Sequence, residues 1–548
     1  MTTQRSLSGF IIAGAIALVV AAIVGFNLFF AKSPVRLIAT SSQSSAAVFV
    51  SKLAPVTVSL LVNPDRLGSF DSSGELSKLK NSLLVKSGLD YKQDIQPWLK
   101  DEITLAVTTL DIDRDPENGK QPGYLMALAT DKPAKSQEFL QLLFSKRVLA
   151  GANLATEEYK GAKLIYDSSL PESDSLAGAV VDNFVLFANN PKVLRDAINN
   201  VQAPDLNLLS SPQYQKATQQ LPKGSVAVAF LNLPLVAQWQ GLNLPEPTYD
   251  SEIVALTLNS QGIFAETNFL TDLEIEPTSS QLSKPVGALE YVPASAGLVI
   301  SGSHLDNLGK GGLAKLWTQA KTAISGSGTD IIARLVQPLT DVESKQGIDL
   351  QQDIFSWVQG EYAVALVPRV GKASPDWIFV TQKVETVPEG IARLDAIASS
   401  SGLSSNTITL DKQKVTAWTE LTTAKTDSAK PSFTVEANVK GVHTTLGNYE
   451  IFASDLATIY EVVNSQQKSV ISDRNFQDSI AVIPQPNQGY IYVDWTKSQN
   501  LVEQQIPILK LIEVVGKPFF ENLRSLTFSS YGNEAGTLKG GVFLQLTR

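Results

Sequence analysis

The chain has 548 residues, 43% of them hydrophobic and 18% charged, with a formal net charge of −9 and no cysteine. An acidic surface repels phosphate backbones, which argues against a nucleic-acid partner. The absence of cysteine excludes disulfides, iron–sulfur clusters, thiolate zinc sites and cysteine nucleophiles, and with His304 and His443 as the only histidines no three-histidine metal site can form.

Residues 1–7 are a short tail. No charged residue occurs from Ser6 to Ala31, and Leu7–Phe30 reads LSGFIIAGAIALVVAAIVGFNLFF. Roughly 20 residues at ~1.5 Å each cross the hydrocarbon core. Residues 8–31 are therefore expected to form a transmembrane helix, with Phe26, Phe29 and Phe30 at an interface. A cleaved signal peptide has a shorter apolar core of ~7–15 residues and a small-residue cleavage site, which FFAKSPVR does not offer. The expectation is a single-pass membrane protein. Lys32, Arg36 and Lys52 lean toward a cytoplasmic body, but long domains translocate regardless of charge. The body is expected on the extracytoplasmic side. Residues 32–45, including TSSQSS, read as a flexible spacer.

Two copies of one unit follow, at 46–275 and 286–548, with the linker 276–285 (EPTSSQLSKP) between them. Gly88–Ala106 and Gly347–Ala365 align without gaps at an offset of 347 − 88 = 259, with eight identities in 19 positions, among them Asp94/Asp353, Trp98/Trp357 and Glu102/Glu361. A second match pairs Phe187 with Phe452 and Ala188 with Ala453. A repeat this long is a duplicated domain, not a solenoid unit. Alternation at Val56, Val58 and Leu60, and at Ile103, Leu105 and Val107, predicts strands. Val193, Leu194, Ala197, Ile198 and Val201 have helical spacing, with Asn190 as N-cap and Pro191 at the first helical position. In the second copy Leu456, Ile459, Tyr460 and Val463 repeat the pattern, with Ser454 as the expected cap. Strands in adjacent runs, broken by a few helices, predict an α+β fold: an N-terminal transmembrane helix plus two tandem copies of an antiparallel-rich mixed α+β domain.

The run SAAVFVSKLAPVTVSLLVNPDRL (Ser45–Leu67), the segment YKGAKLIY (Tyr159–Tyr166) and the pattern around FANNPKVLRDAINN resemble a bacterial family carrying domain of unknown function 3352, its cyanobacterial members above all. The resemblance covers nearly all the chain after residue 31. It implies a membrane-anchored, exported α+β protein, in the periplasm or thylakoid lumen, and carries over no functional residue and no cofactor.

The acidic loop Asp111, Asp113, Asp115 and Glu117 is the candidate metal site. Aspartates at positions 1, 3 and 5 resemble a calcium loop, but Pro116 stands where glycine is needed and Pro122 where glutamate is needed. A solvated turn between strands competes with it. Asp94 with Glu102, and Asp353 with Glu361, could be paired carboxylates for acid–base work. Their repetition beside Gly, Ile and Trp points instead to a fold-defining turn, with Asp94 capping and Trp98 in the core. His304 lies in SGSHLDNLGKGG, too local for a Ser–His–Asp triad and wrongly spaced for a phosphate loop. His443 has no evident partner. The apolar crowd from Ile506 to Phe520 is either a core helix or an exposed face for a membrane or protein partner.

With no nucleophile motif, phosphate loop or metal constellation, the function expected is a non-enzymatic membrane-anchored scaffold or binding module, held to the membrane through residues 8–31. A hydrolase-type enzyme with a carboxylate site in the inter-repeat cleft, or a calcium-dependent module, are the alternatives.

Overall fold

The computed structural model describes residues 43–63, 91–115, 117, 119–168, 176–240, 249–271, 281–305, 353–372, 374–425, 433–464, 468–499, 520–531 and 537–547. The first half runs β1 (Val56–Leu60), β2 (Leu99–Thr109), β3 (Gly123–Thr130), α1 (Pro133–Leu149), β4 (Leu154–Tyr159), β5 (Ala162–Asp167), β6 (Ala177–Val181), β7 (Phe184–Ala188), α2 (Pro191–Gln202), α3 (Pro212–Thr218), β8 (Ala227–Asn232), α4 (Leu233–Gln240), β9 (Ser251–Asn259) and β10 (Gly262–Leu270). The second half runs β11 (Leu298–Ser303), β12 (Glu361–Val367), β13 (Asp376–Gln382), α5 (Val387–Ser400), β14 (Ser404–Leu410), β15 (Gln413–Lys425), β16 (Phe433–Leu446), β17 (Tyr449–Ala453), α6 (Leu456–Asn464), α7 (Arg474–Ile480), β18 (Tyr490–Asp494), β19 (Leu523–Tyr531) and β20 (Thr537–Leu546).

Among the described residues all twenty strands belong to one sheet, and every pairing is antiparallel. In the first half the order across the sheet is β4-β5-β6-β7-β3-β2-β1-β8-β9-β10. The second half repeats it as β14-β15-β16-β17-β13-β12-β11-β18-β19-β20. The halves meet where β10 pairs with β20, from Gly262 opposite Gln545 to Leu270 opposite Thr537. The expectation of two tandem α+β domains is corrected by this ladder, which makes the two copies one large antiparallel sheet. Matched halves had free edges at β10 and β20, and edge strands satisfy their backbone groups by pairing. No inter-repeat cleft is needed to join them.

The expected transmembrane helix, and the single-pass membrane localisation that rests on it, are also corrected. Residues 8–31 lie outside the described residues, and among the described residues no helix is long and apolar enough to cross a membrane. The longest, α1, has 17 residues and carries Lys135, Glu138, Lys146 and Arg147. Part of the expected spacer is also structured: Ser44 and Ser45 enter the fold at a short 3-10 turn, Ser45–Val48, with Ser44 buried. Within the expected linker, Leu282 forms a β-bridge with Asn487.

Local chemistry sets the helices. Asn190 caps α2, its side chain accepting from the Lys192 amide at 2.8 Å, with Pro191 next and Val193, Leu194, Ala197 and Ile198 buried. The cap of α6 is Asp455, whose carboxylate accepts from the Thr458 amide at 2.8 Å. Ser454 instead accepts from the Trp377 amide across the sheet. Asp473 caps α7 by accepting from Asn475 and Phe476. Among the described residues two large cores form, one drawn mainly from the first half but reaching Leu298, Leu366 and Val493 of the second, the other mainly from the second half, with smaller ones under α1, α4 and α5.

Candidate functional site

The carboxylates singled out by repetition are structural. Glu102 on β2 is buried. It accepts from the Ser44 hydroxyl at 2.5 Å, the Ala46 amide at 2.9 Å, the Thr104 hydroxyl at 3.1 Å and the Ser45 amide at 3.0 Å. It thereby holds the amide end of the Ser45–Val48 turn, satisfying donors that a short helix leaves free. Glu361 does the same in the second half, accepting from the Gly287 amide and the Tyr449 hydroxyl, both at 2.7 Å. Gly287 opens the turn Gly287–Tyr291. A cavity of about 140 Å³ adjoins the Glu102 turn, lined by Lys100, Asp101 and Asn183 among others. Trp98 and Trp357 are buried, and each indole N–H donates to a backbone carbonyl, that of Asp94 at 2.7 Å and that of Asp353 at 2.6 Å. Asp94 thus serves through its main chain, and its carboxylate lies 3.9 Å from Lys146 Nζ.

In the acidic loop the side chains bind their own backbone. Asp113 accepts from the Asp115 amide, Asp115 from the Glu117 amide and Asp111 from the Gln121 amide. These are turn-forming bonds. Among the described residues no group of three or more His, Asp or Glu side chains is gathered to hold a metal ion. The His304 amide donates to the Gly360 carbonyl at 3.0 Å, extending the β11–β12 contact, while most of its glycine-rich loop lies outside the described residues. The apolar crowd from Ile506 lies outside them too, save Phe520, which packs on Trp495 with ring centroids 5.4 Å apart.

The group that sequence inspection missed surrounds His443 on β16. Its Nδ1 lies 2.8 Å from Glu450 Oε1 on β17, and the Thr445 hydroxyl donates to the other Glu450 oxygen at 2.6 Å. The ring packs beside Trp418 of β15 and Phe452 of β17, with centroids 5.3 and 5.5 Å away, and those two rings also touch each other, 6.3 Å apart. Asp395 on α5 accepts from the Trp418 indole N–H at 2.7 Å and stands 4.0 Å from His443 Nε2, beyond hydrogen-bond reach. Nε2 is buried without a hydrogen-bond partner.

The first half supplies an internal control. Gly178 faces Phe187 in register as His443 faces Phe452, and Val180 faces Val185 as Thr445 faces Glu450. There the space is apolar: a Cβ on Gly178 would stand 2.7 Å from Leu140 and 2.9 Å from Phe144, both of α1. The same scaffold position therefore does not require a titratable group. Spacing gave no sign of the cluster, because its members come from α5, β15, β16 and β17.

The cluster sits at the root of a ribbon. β14 pairs with β15 only over Gln413–Thr419, and β17 with β16 only over Val442–Leu446. Beyond those points, among the described residues, Glu420–Lys425 and Phe433–Asn438 pair with each other alone. Val435 to Asn438 are all exposed, so both faces of the ribbon meet solvent. Leu421 is 61% and Val435 64% exposed. The matching strands β5 and β6 have only six and five residues.

A family model described as "Protein of unknown function (DUF3352)" matches residues 11–546. The chain belongs to this family. No curated protein matches it. Solved structures titled "Structure of crystal form I of TP0453" and "Structure of crystal form III of TP0453" are similar at 11% and 13% identity. Each match covers 43% of this chain, and 82% and 84% of theirs, at TM-scores of 0.25 and 0.23. Likeness at that level carries no argument about this family member.

Proposed function

We propose that this chain is a non-enzymatic binding or scaffold module that engages a protein partner through the β15–β16 ribbon. The observation carrying this reading is the ribbon itself, a two-stranded ladder open on both faces with Leu421 and Val435 displayed. An isolated two-stranded ladder is marginal in water, and exposed apolar side chains on it favour a partner that covers them. Glu450, His443, Trp418 and Asp395 support the reading by tying the ribbon root to α5. The likeness of Ser45–Leu67 to cyanobacterial members belongs to the same proposal. Replacing Leu421 and Val435 together with serine is expected to leave the melting temperature within about 2 °C. It should abolish cross-linking of the ribbon to whatever species the wild type captures. Equal capture by the variant, or no reproducible capture by the wild type, refutes the ribbon as the binding surface.

A second reading rests on one observation, the unpartnered Nε2 of His443. A histidine oriented by a carboxylate at Nδ1 is arranged as a general base. Hydrolysis of activated esters by the wild type and not by His443→Asn would favour it over the binding module.

A further inference from the structure

The sheet is open, and its two terminal strands are unlike. Among the described residues β4 pairs only with β5, and β14 only with β15. β4 is guarded by charge: it carries Glu157 and Glu158, and Glu157 is held by Arg195 at 2.7 Å. Charged side chains on an edge discourage pairing with another chain. β14 reads SSNTITL, with neither charge nor proline. Five consecutive residues, Ser405 to Thr409, are exposed, and among the described residues no second strand pairs with the outer edge of β14.

We propose that β14 is a self-association edge, pairing antiparallel with β14 of a second copy of this chain. The occupant follows from charge and from geometry. Two chains of net charge −9 repel each other over most of their surface. An uncharged edge is the place where a second copy meets no like charge. The fold already joins two like units edge to edge, through the nine-pair β10–β20 ladder. A two-fold axis perpendicular to the sheet keeps the same face of both copies on one side, so paired residue numbers must sum to an even value. Full overlap of Ser404–Leu410 then sets Thr407 opposite Thr407, with Asn406 opposite Ile408. Seven residues a side is well below the roughly 20–30 of a standard interface, so the dimer is weak and depends on concentration.

This inference rests on the binding-module reading but uses a different strand from the ribbon tip, so the two fail separately. Sedimentation velocity of the full chain, from about 1 to about 200 µM, should show a monomer–dimer equilibrium at a micromolar Kd. Thr407→Lys and Thr407→Asp should each sediment as monomers, since the axis sets two like charges side by side. An equimolar mixture of the two should restore a dimer. The Leu421→Ser, Val435→Ser variant should dimerise as the wild type does, even where it has lost partner capture. A wild type that stays monomeric throughout the range overturns the proposal, as does a Thr407→Lys chain that dimerises normally. Should either Thr407 variant lose its circular dichroism spectrum, amide exchange in the wild type decides instead. Protection of residues 405–409 must then rise with protein concentration, and protection that is flat overturns the inference.

Discussion

At the scale of the residue, Glu252 is the clearest electrostatic liability in the fold. It lies on β9 beside Phe269 and Leu231, with one carboxylate oxygen accepting from Thr267 at 2.9 Å and the other buried without a partner. Burial pushes its carboxyl up from 4.5 to about 7. The unfolded chain releases this proton near pH 4.5, whereas the folded chain holds it to about pH 7. Below both values the group is neutral in either state. Between them folding stability falls as pH rises, and above pH 7 the loss is complete, on the order of 3 kcal/mol. Glu252→Gln is therefore expected to raise stability by about 1–2 kcal/mol at pH 8 and by nothing measurable near pH 4.5. Chemical denaturation at both pH values checks this. A gain of the same size at each would show that ionisation of Glu252 is not the cause. Glu102 shows the opposite solution to burying a carboxylate, with three hydroxyl or amide donors on one oxygen and an amide on the other.

At the scale of the element, the two halves show how one strand–helix frame accepts different interiors. α1 presses Leu140 and Phe144 onto Gly178, whereas α5 brings Asp395 toward His443 at the register-equivalent place. Gly178→Ala would drive a methyl group into Leu140 and Phe144. The expected loss is about 1–3 kcal/mol, the range for an overfilled core, read as a lowered denaturation midpoint with an unchanged slope. A neutral effect would mean that α1 can lift from the sheet freely. The ribbon is the other divergence, since β15 and β16 have 13 and 14 residues where β5 and β6 are short. Length beyond the neighbouring strands is what leaves the ladder two-stranded and open.

At the scale of the whole molecule, the β10–β20 ladder makes the two halves one sheet and is expected to couple their unfolding. Gly262 sits at the end of this ladder, where an added Cβ would lie 2.0 Å from the Leu544 carbonyl oxygen. Only a residue without a side chain permits that approach. Calorimetry of the wild type should give one cooperative transition. Gly262→Ala should weaken the junction and split it into two, one for each half. Two transitions in the wild type would show that the ladder does not couple them.

Much of the local structure could be read from the chain alone. Alternation located β1 and β2, the Asn190–Pro191 pair located the start of α2, and the Trp98/Trp357 and Glu102/Glu361 repeats marked equivalent turns, because each depends on neighbours within a few residues. The cap of α6 was misplaced by one residue, since Ser454 and Asp455 both offer an oxygen and only the path of the chain chooses between them. What the tertiary structure decided is everything that depends on pairing between distant strands. Hydrophobic alternation says that a strand has an inner face but not which edge it meets, so neither the single twenty-stranded sheet nor the β10–β20 junction was legible. The meeting of Asp395, His443 and Glu450 was hidden for the same reason, because hydrogen bonds between side chains on separate elements leave no spacing in the sequence.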